Sequence, residues 1–193
     1  MRNKLDEQVV LDAALKVFSQ YGYKKSTLED IANELELTTP AIYAYTSGKR
    51  DLYEQTVRYV MLRWQASVKQ AVDAQPTARA KLTALCDSAL YYLAKDAEFC
   101  SLLKNDPTIF PMFPTVDPYE EINGDSVKMI ESILAFGRET GEFRNLDESG
   151  VAEVLFSIYK NFIIHTYINS EDDYTSRYLP ITLGLILNGV LNA

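Results

Sequence analysis

Few side chains in this 193-residue chain are able to carry out covalent or acid–base chemistry. There is one histidine, His165, and there are two cysteines, Cys86 and Cys100. Nucleophilic catalysis needs a thiol activated by a base, and a third group to orient that base; nothing in the spacing supplies the third group. His165 lies in the run Phe162-Ile163-Ile164-His165-Thr166-Tyr167 and reads as a core or interface residue, while the two thiols read as small apolar fillers. Two cysteines and one histidine do not make a four-ligand zinc site, and one cysteine pair is not a disulfide framework. The acid pairs Glu120-Glu121 and Asp172-Asp173 fall at helix ends and turns, where solvation accounts for them. The chain reads as a non-enzyme that calls for neither metal nor cofactor.

The chemistry left is recognition. The first fifty residues combine hydroxyls at Thr27, Thr38 and Thr39, phenols at Tyr43 and Tyr45, and cations at Arg2, Lys4, Lys24, Lys25 and Lys49. These are the group types that hold phosphates and touch base edges. A net charge of −8 argues against coating nucleic acid by bulk attraction. The deficit is uneven, however: residues 1–52 sum to −1 and the remainder to −7, which leaves room for a local contact.

The elements that position these groups are helical. Hydrophobic residues at 47% and charged residues at 24% are ordinary globular values, and 8 Gly with 7 Pro are few punctuators for this length. Apolar residues at helical spacing (Leu5, Val9, Ala13, Val17, Phe18) predict a helix over 4–21, stopped by Gly22. A capping box opens the next, either from Ser26 with Glu29 or from Thr27 with Asp30. That helix is short, because Thr38 is already a good N-cap and Pro40 sits in the first turn of a third, over 39–45. Two short helices with a tight joint make a helix-turn-helix. Longer helices follow over 50–72, 77–94, 96–104, 118–140, 147–169 and 173–191, and four of the seven prolines crowd into a loop at 105–118. The fold class is all-α, about nine helices in all: a three-helix head at 1–49 and a larger helical body at 50–193. No apolar run reaches the roughly 18 residues of a membrane span, and Met1-Arg2-Asn3-Lys4 opens no secretory signal; the expected location is cytoplasmic, with no membrane partner.

The spaced residues Gly22, Thr27, Ile31-Ala32, Leu37-Thr38, Ile42-Tyr43-Ala44-Tyr45, Lys49 and Leu52 resemble the DNA-binding head of the tetracycline-repressor-like (TetR/AcrR) regulators. The resemblance covers about residues 5–53; the rest matches in length and helical content. Three residues depart from the pattern: Glu36 where the turn normally has Gly, Pro40 where Gly is frequent, and Thr46 where Phe is usual. In physical terms the third helix is the element able to enter a major groove. Its outward candidates are Thr38, Thr39, Ala41, Tyr43, Ala44 and Tyr45. It holds no Arg or Lys, so the bidentate contact to guanine is missing, and base reading falls to the Thr39 hydroxyl and to Ala41 or Ala44 against thymine methyls. The resemblance implies that Thr27, Tyr43, Tyr45 and Lys49 hold phosphates of double-stranded operator DNA.

The body is rich in aromatics: 13 Tyr, 8 Phe and 1 Trp in the whole chain. Trp64, Tyr91, Tyr92, Phe99, Phe110, Phe113, Phe136, Tyr159 and Phe162 suit either plain core filling or the walls of a largely apolar pocket. By resemblance, a small-molecule effector sits between the long helix and the middle helices, with Trp64, Tyr91, Phe99, Phe136, Tyr159 and Phe162 as candidate lining. The last two helices are apolar on more than one side, which fits burial against both body and partner. By resemblance they form a homodimer interface, through Val151, Leu155 and Ile158 on one and Tyr178, Ile181 and Leu185 on the other. The sum is a ligand-responsive repressor binding a palindromic operator as a homodimer. The alternative is a helical homodimer that binds a protein or small molecule without reading DNA.

Overall fold

The computed structural model describes residues 5–112, 116–171 and 173–191. Nine α-helices are present among them: α1 (Glu7–Lys25), α2 (Leu28–Glu34), α3 (Thr39–Ile42), α4 (Lys49–Asp73), α5 (Ala78–Lys95), α6 (Ala97–Asn105), α7 (Glu120–Glu139), α8 (Glu148–Ile163) and α9 (Tyr174–Val190). A 3₁₀ turn at Pro107–Ile109 interrupts the proline-rich loop, and a π turn at Ile164–Ile168 ends the predicted 147–169 helix. No strand occurs among the described residues; one bridge pairs Phe143 with Leu191.

Local chemistry sets the ends. Asp6 caps α1 by accepting from the Gln8 amide at 3.1 Å. Gly22 does interrupt α1, with φ 74° and ψ 160°, yet one further helical turn follows to Lys25. Of the two capping-box registers, Thr27 with Asp30 forms: the Thr27 amide donates to Asp30 at 2.8 Å and the Asp30 amide to Thr27 Oγ1 at 3.1 Å. Thr77, Asp96 and Asp147 cap α5, α6 and α8 in the same manner. Glu36 in the α2–α3 turn has φ 52°, a left-handed conformation that costs a non-glycine residue on the order of 1 kcal/mol.

α1 is the link between head and body. Val10, Ala14, Leu15 and Phe18 bury one face, Phe18 packing edge-on to Tyr53 of α4 at 5.0 Å. On the α6 side, Ser101 Oγ and Asn105 Nδ2 both donate to the Ser19 carbonyl, at 2.7 and 2.9 Å. Arg63 of α4 reaches three elements: Asp96 at 2.7 Å, the Tyr92 hydroxyl at 2.9 Å and Asp12 of α1 at 3.3 Å. Deeper in the body the Trp64 indole donates to the Ala89 carbonyl at 3.1 Å and its ring meets Phe99 edge-on at 5.7 Å.

Candidate nucleic-acid interface and body cavity

α3 is shorter than its sequence suggests. Only Thr39–Ile42 is helical; Ala44 and Tyr45 then donate to the carbonyls three residues back, at 3.3 and 2.9 Å. The tightening has a cause just beyond. Thr46 is buried, its hydroxyl within 2.8 Å of the Gly48 carbonyl and 2.9 Å of Asp51 Oδ2, which fixes the chain on the first turn of α4. Thr38 holds the N-cap position but makes no side-chain cap bond, so its hydroxyl is unspent there. Thr27, Thr38 and Ala44 are exposed, Thr39, Ala41 and Tyr45 are half-buried, and Tyr43 is 57% exposed. Tyr45 leans back, its hydroxyl 3.3 Å from the Leu5 carbonyl.

Lys49 departs most from a simple phosphate contact. Its ammonium donates to the carbonyls of Tyr23 at 2.7 Å and Ser26 at 2.9 Å, and stands 4.5 Å from the centre of the Tyr23 ring. It therefore closes the C-terminal end of α1, where unpaired carbonyls favour a cation. Lys49→Ala is expected to lower head stability by about 1–3 kcal/mol, because hydrogen bonds to charged groups contribute that much. Thermal unfolding of the variant checks this; an unchanged midpoint would mean that the two carbonyls are satisfied without it. Lys24 and Lys25 are exposed, while Arg2 and Lys4 lie outside the described residues.

Asp51 organises the α3–α4 junction. Gln55 Nε2 donates to Oδ1 at 2.9 Å; the Ser47 amide and hydroxyl donate to Oδ2 at 2.7 and 2.9 Å, beside the Thr46 hydroxyl. These donors, Gln55 first, hold the carboxyl well below the usual carboxylate range. A carboxyl lowered on folding contributes stability in full above its unfolded value of about 4, and loses it as pH falls from there through the folded value. Acid titration of head unfolding should show this loss. Asp51→Asn should remove that part of the pH dependence; an identical acid profile in the variant would refute the assignment.

Two narrow cavities lie in the body, each with free room for only about one or two water molecules between its side chains. The first, between α4, α7 and α8, has Trp64, Phe110, Phe156 and Tyr159 as aromatic walls and Gln65, Asn123 and Ser126 as its polar side. The second, reaching α9, is lined by apolar residues but for Cys86, Tyr159 and Thr182. Of the lining expected from sequence, Trp64 and Tyr159 border the first and Tyr159 and Phe162 the second. Phe99 is fully buried behind Trp64 and borders neither. Phe136 also borders neither, and lies 5.7 Å from the Lys81 ammonium. Tyr91 is 61% exposed, with Lys95 4.1 Å from its ring centre: it lies on the outer face of α5, in an open groove beside α4 and α6. Phe113 lies outside the described residues. Reasoning from aromatics passed over Met61, Gln65, Asn123 and Ser126. Gln65 carried a usable signal, a polar residue one position from Trp64 on the same long helix.

Residues 10–56 match the family described as bacterial regulatory proteins, tetR family. The match covers the head of the chain, α1 to the start of α4. Full-length similarity joins this chain to YezE of Bacillus subtilis, an uncharacterized HTH-type transcriptional regulator, at 22% identity over 96% of this chain and 98% of that one. The biofilm operon icaADBC HTH-type negative transcriptional regulator IcaR of Staphylococcus aureus is 35% identical over 49 residues, 25% of this chain and 26% of its own. Among solved structures, the transcriptional regulator FadR of Bacillus subtilis in complex with stearoyl-CoA shares the fold, with a TM-score of 0.73, 19% identity and coverage of 95% and 96%.

The last two helices of the body divide their faces unevenly. Leu155, expected at a dimer interface, is buried and borders the second cavity, because α8 turns that side toward α5 and α7. Ile158 is half-buried at the same wall and Val151 is half-buried. Val154, between them on the helix surface, is 59% exposed. On α9, Tyr178, Ile181 and Leu185 all face outward, and Val190 is the one residue of that helix that is buried.

The remaining reactive groups are quiet. Burial pushes the Cys86 thiol up to about 12 and the Cys100 thiol up to about 11, so neither is a thiolate nucleophile near neutrality. His165 pairs with Glu171 at 2.8 Å and stacks on Tyr174 at 4.2 Å, an arrangement that fastens the α8–α9 turn. Among the described residues no cluster of metal ligands occurs, and no helix is long and apolar enough to cross a membrane.

Proposed function

We propose that this regulator is a repressor that binds a palindromic operator as a homodimer and is released when a small, largely apolar effector occupies the body cavity. The head, residues 1–49, would present Thr38, Thr39 and Ala41 to base edges. Thr27, Tyr43 and Tyr45 would meet phosphates, and Lys49 would do so only through the N–H it does not give to Tyr23 and Ser26. The body, residues 50–193, would carry the effector site around Trp64, Tyr159 and Phe162. Its dimer face would be formed by Val151, Val154 and Ile158 together with Tyr178, Ile181 and Leu185.

One observation carries the link between effector and DNA. Trp64, a wall of the first cavity, packs on Phe99 of α6, and α6 is hydrogen-bonded to α1 through Ser101 and Asn105. A ligand that displaces Trp64 presses on the element that holds the head. Operator binding needs two heads about one duplex turn apart, roughly 34–36 Å. Couplings of about 1–3 kcal/mol would change affinity roughly 5- to 150-fold. The FadR structure holds stearoyl-CoA in the same fold, which supports a body that takes a ligand.

The test is selection of DNA from a genomic pool by the purified protein, followed by a salt titration. A palindrome weakened by Tyr43→Ala, with steep loss of affinity in salt, supports the reading. Recovery of nothing above background from a folded dimer would favour the partner-binding alternative, which the absence of Arg and Lys from α3 also favours.

A further inference from the structure

We infer that the two body cavities are one slot, divided by a side-chain partition, whose ligand is slender and uncharged: an unbranched alkyl chain ending in a hydroxyl or another neutral hydrogen-bond donor. This rests on the proposed effector role of the body and specifies the ligand class for it.

Continuity comes first. Leu85, Ile130 and Tyr159 border both cavities, so only side chains separate them. Side-chain rotations are far cheaper than parting helices, and Tyr159 is the residue whose swing opens the way. Each space is tight, which favours a chain one methylene wide over a fused-ring compound. Beyond the partition the wall is formed by Leu82, Leu155, Ile158, Phe162, Leu183 and Ile186, which suits an alkyl tail.

The polar end is specific in sign. Neither lining contains an Asp, Glu, Lys, Arg or His. Gln65 Nε2 donates to the Ile122 carbonyl at 2.9 Å and to Ser126 Oγ at 3.0 Å, and Asn123 Nδ2 donates to Asp117 at 2.7 Å. The Ile122 carbonyl and the Asp117 carboxylate are pure acceptors, so both amides are fixed with their oxygens spare. Gln65 Oε1 and Asn123 Oδ1 therefore offer two acceptors and no cation to whatever enters. A hydroxyl or amide N–H satisfies them; a carboxylate or phosphate faces two carbonyl oxygens with the Asp117 charge behind. Lys160, whose ammonium lies 5.6 Å from the ring centre of Phe156 in the first wall, donates to the Pro111 carbonyl at 3.0 Å and is outside both linings. Burial keeps the Tyr159 phenol protonated, so the partition adds no charge either.

Trp64 is the single tryptophan of the chain and borders the first cavity, so its fluorescence reports occupancy without DNA. The probes are 1-alkanols from butanol to dodecanol and the alkanoates of equal length at pH 8. Affinity for the alkanols should rise roughly fourfold per methylene, the value of burying one CH₂, and continue past the length that fills the first cavity. Alkanoates should bind at least about tenfold more weakly, since the charge would lack a partner. Thr182→Phe, which narrows the α9 end and leaves Trp64 alone, should reduce binding of long alkanols and leave the short ones unchanged. Affinity that levels off at short alkanols in the natural chain overturns the joined slot. Alkanoates binding as well as alkanols overturn the neutral head. Alkanols that bind in this pattern without altering DNA affinity would uphold the slot and reject the effector reading instead.

Discussion

Replacing Gly137 with alanine is expected to lower the thermal midpoint by about 6–12 °C. A Cβ at that position would lie 2.1 Å from Cδ2 and 2.5 Å from Cγ of Phe143, distances at which something must shift. Phe143 has little freedom to give way. Its ring is 2% exposed, its amide donates to the Gly137 carbonyl at 2.9 Å, and it pairs with Leu191 at the end of α9. Overpacking of this kind costs about 3 kcal/mol at the upper end of the usual range, and each kcal/mol moves a chain of this size by roughly 2–4 °C. Differential scanning calorimetry is the measurement. Adding Phe143→Leu should return part of the loss, since the two substitutions share one space. A single variant melting within about 2 °C of the natural chain would mean that the α7–α8 turn moves freely, and that the C-terminal bridge does not hold it.

The second large effect concerns α9. Ile181 is 59% and Leu185 72% exposed in the protomer, one turn apart on one stripe with Tyr178. Ile181→Glu with Leu185→Glu should leave the protomer folded, because neither side chain belongs to its core. In the proposed dimer the same change puts four carboxylates on a two-fold interface. The expected outcome is a monomer by light scattering, with helical circular dichroism retained. Operator affinity should fall roughly 10²–10⁴-fold, the range lost when two linked heads become one. A variant that remains a dimer would assign the interface to some other face, and the apolar stripe on α9 would need a different explanation.

Much of the architecture was legible because helix ends carry chemical marks. Thr27 with Asp30, Thr77, Asp96 and Asp147 are side-chain caps, and each stands at the start of a helix. Gly22 and Glu36 announced the two left-handed positions of the head, one by its residue type and the other by departing from it. Direction was harder to read. Periodicity says which residues share a face, but not what that face meets, and α8 and α9 are apolar nearly all round. Leu155 was therefore assigned outward when it points in, and Tyr91 inward when it stands in solvent. Lys49 has a structural task that was not legible: it donates to the backbone carbonyls of Tyr23 and Ser26, which have no signature in the sequence. The polar side of the first cavity was missed because Gln65, Asn123 and Ser126 come from α4 and α7 and meet only in three dimensions.

Arg63 has a bearing on how DNA-binding data are to be interpreted. Its guanidinium joins Asp12 in the head to Asp96 and Tyr92 in the body, and it is only partly shielded from solvent. Such a joint weakens as ions accumulate around it, so the coupling of head to body is expected to depend on ionic strength before any nucleic acid arrives. A plot of log affinity against log salt would then hold two slopes added together, one from counterions leaving the duplex and one from a protein stiffening or slackening. Phosphates counted from the raw slope would be in error by the joint's share. Arg63→Met, which keeps the length of the side chain and removes its charge, separates the two, and the slope it leaves is the one that belongs to the DNA.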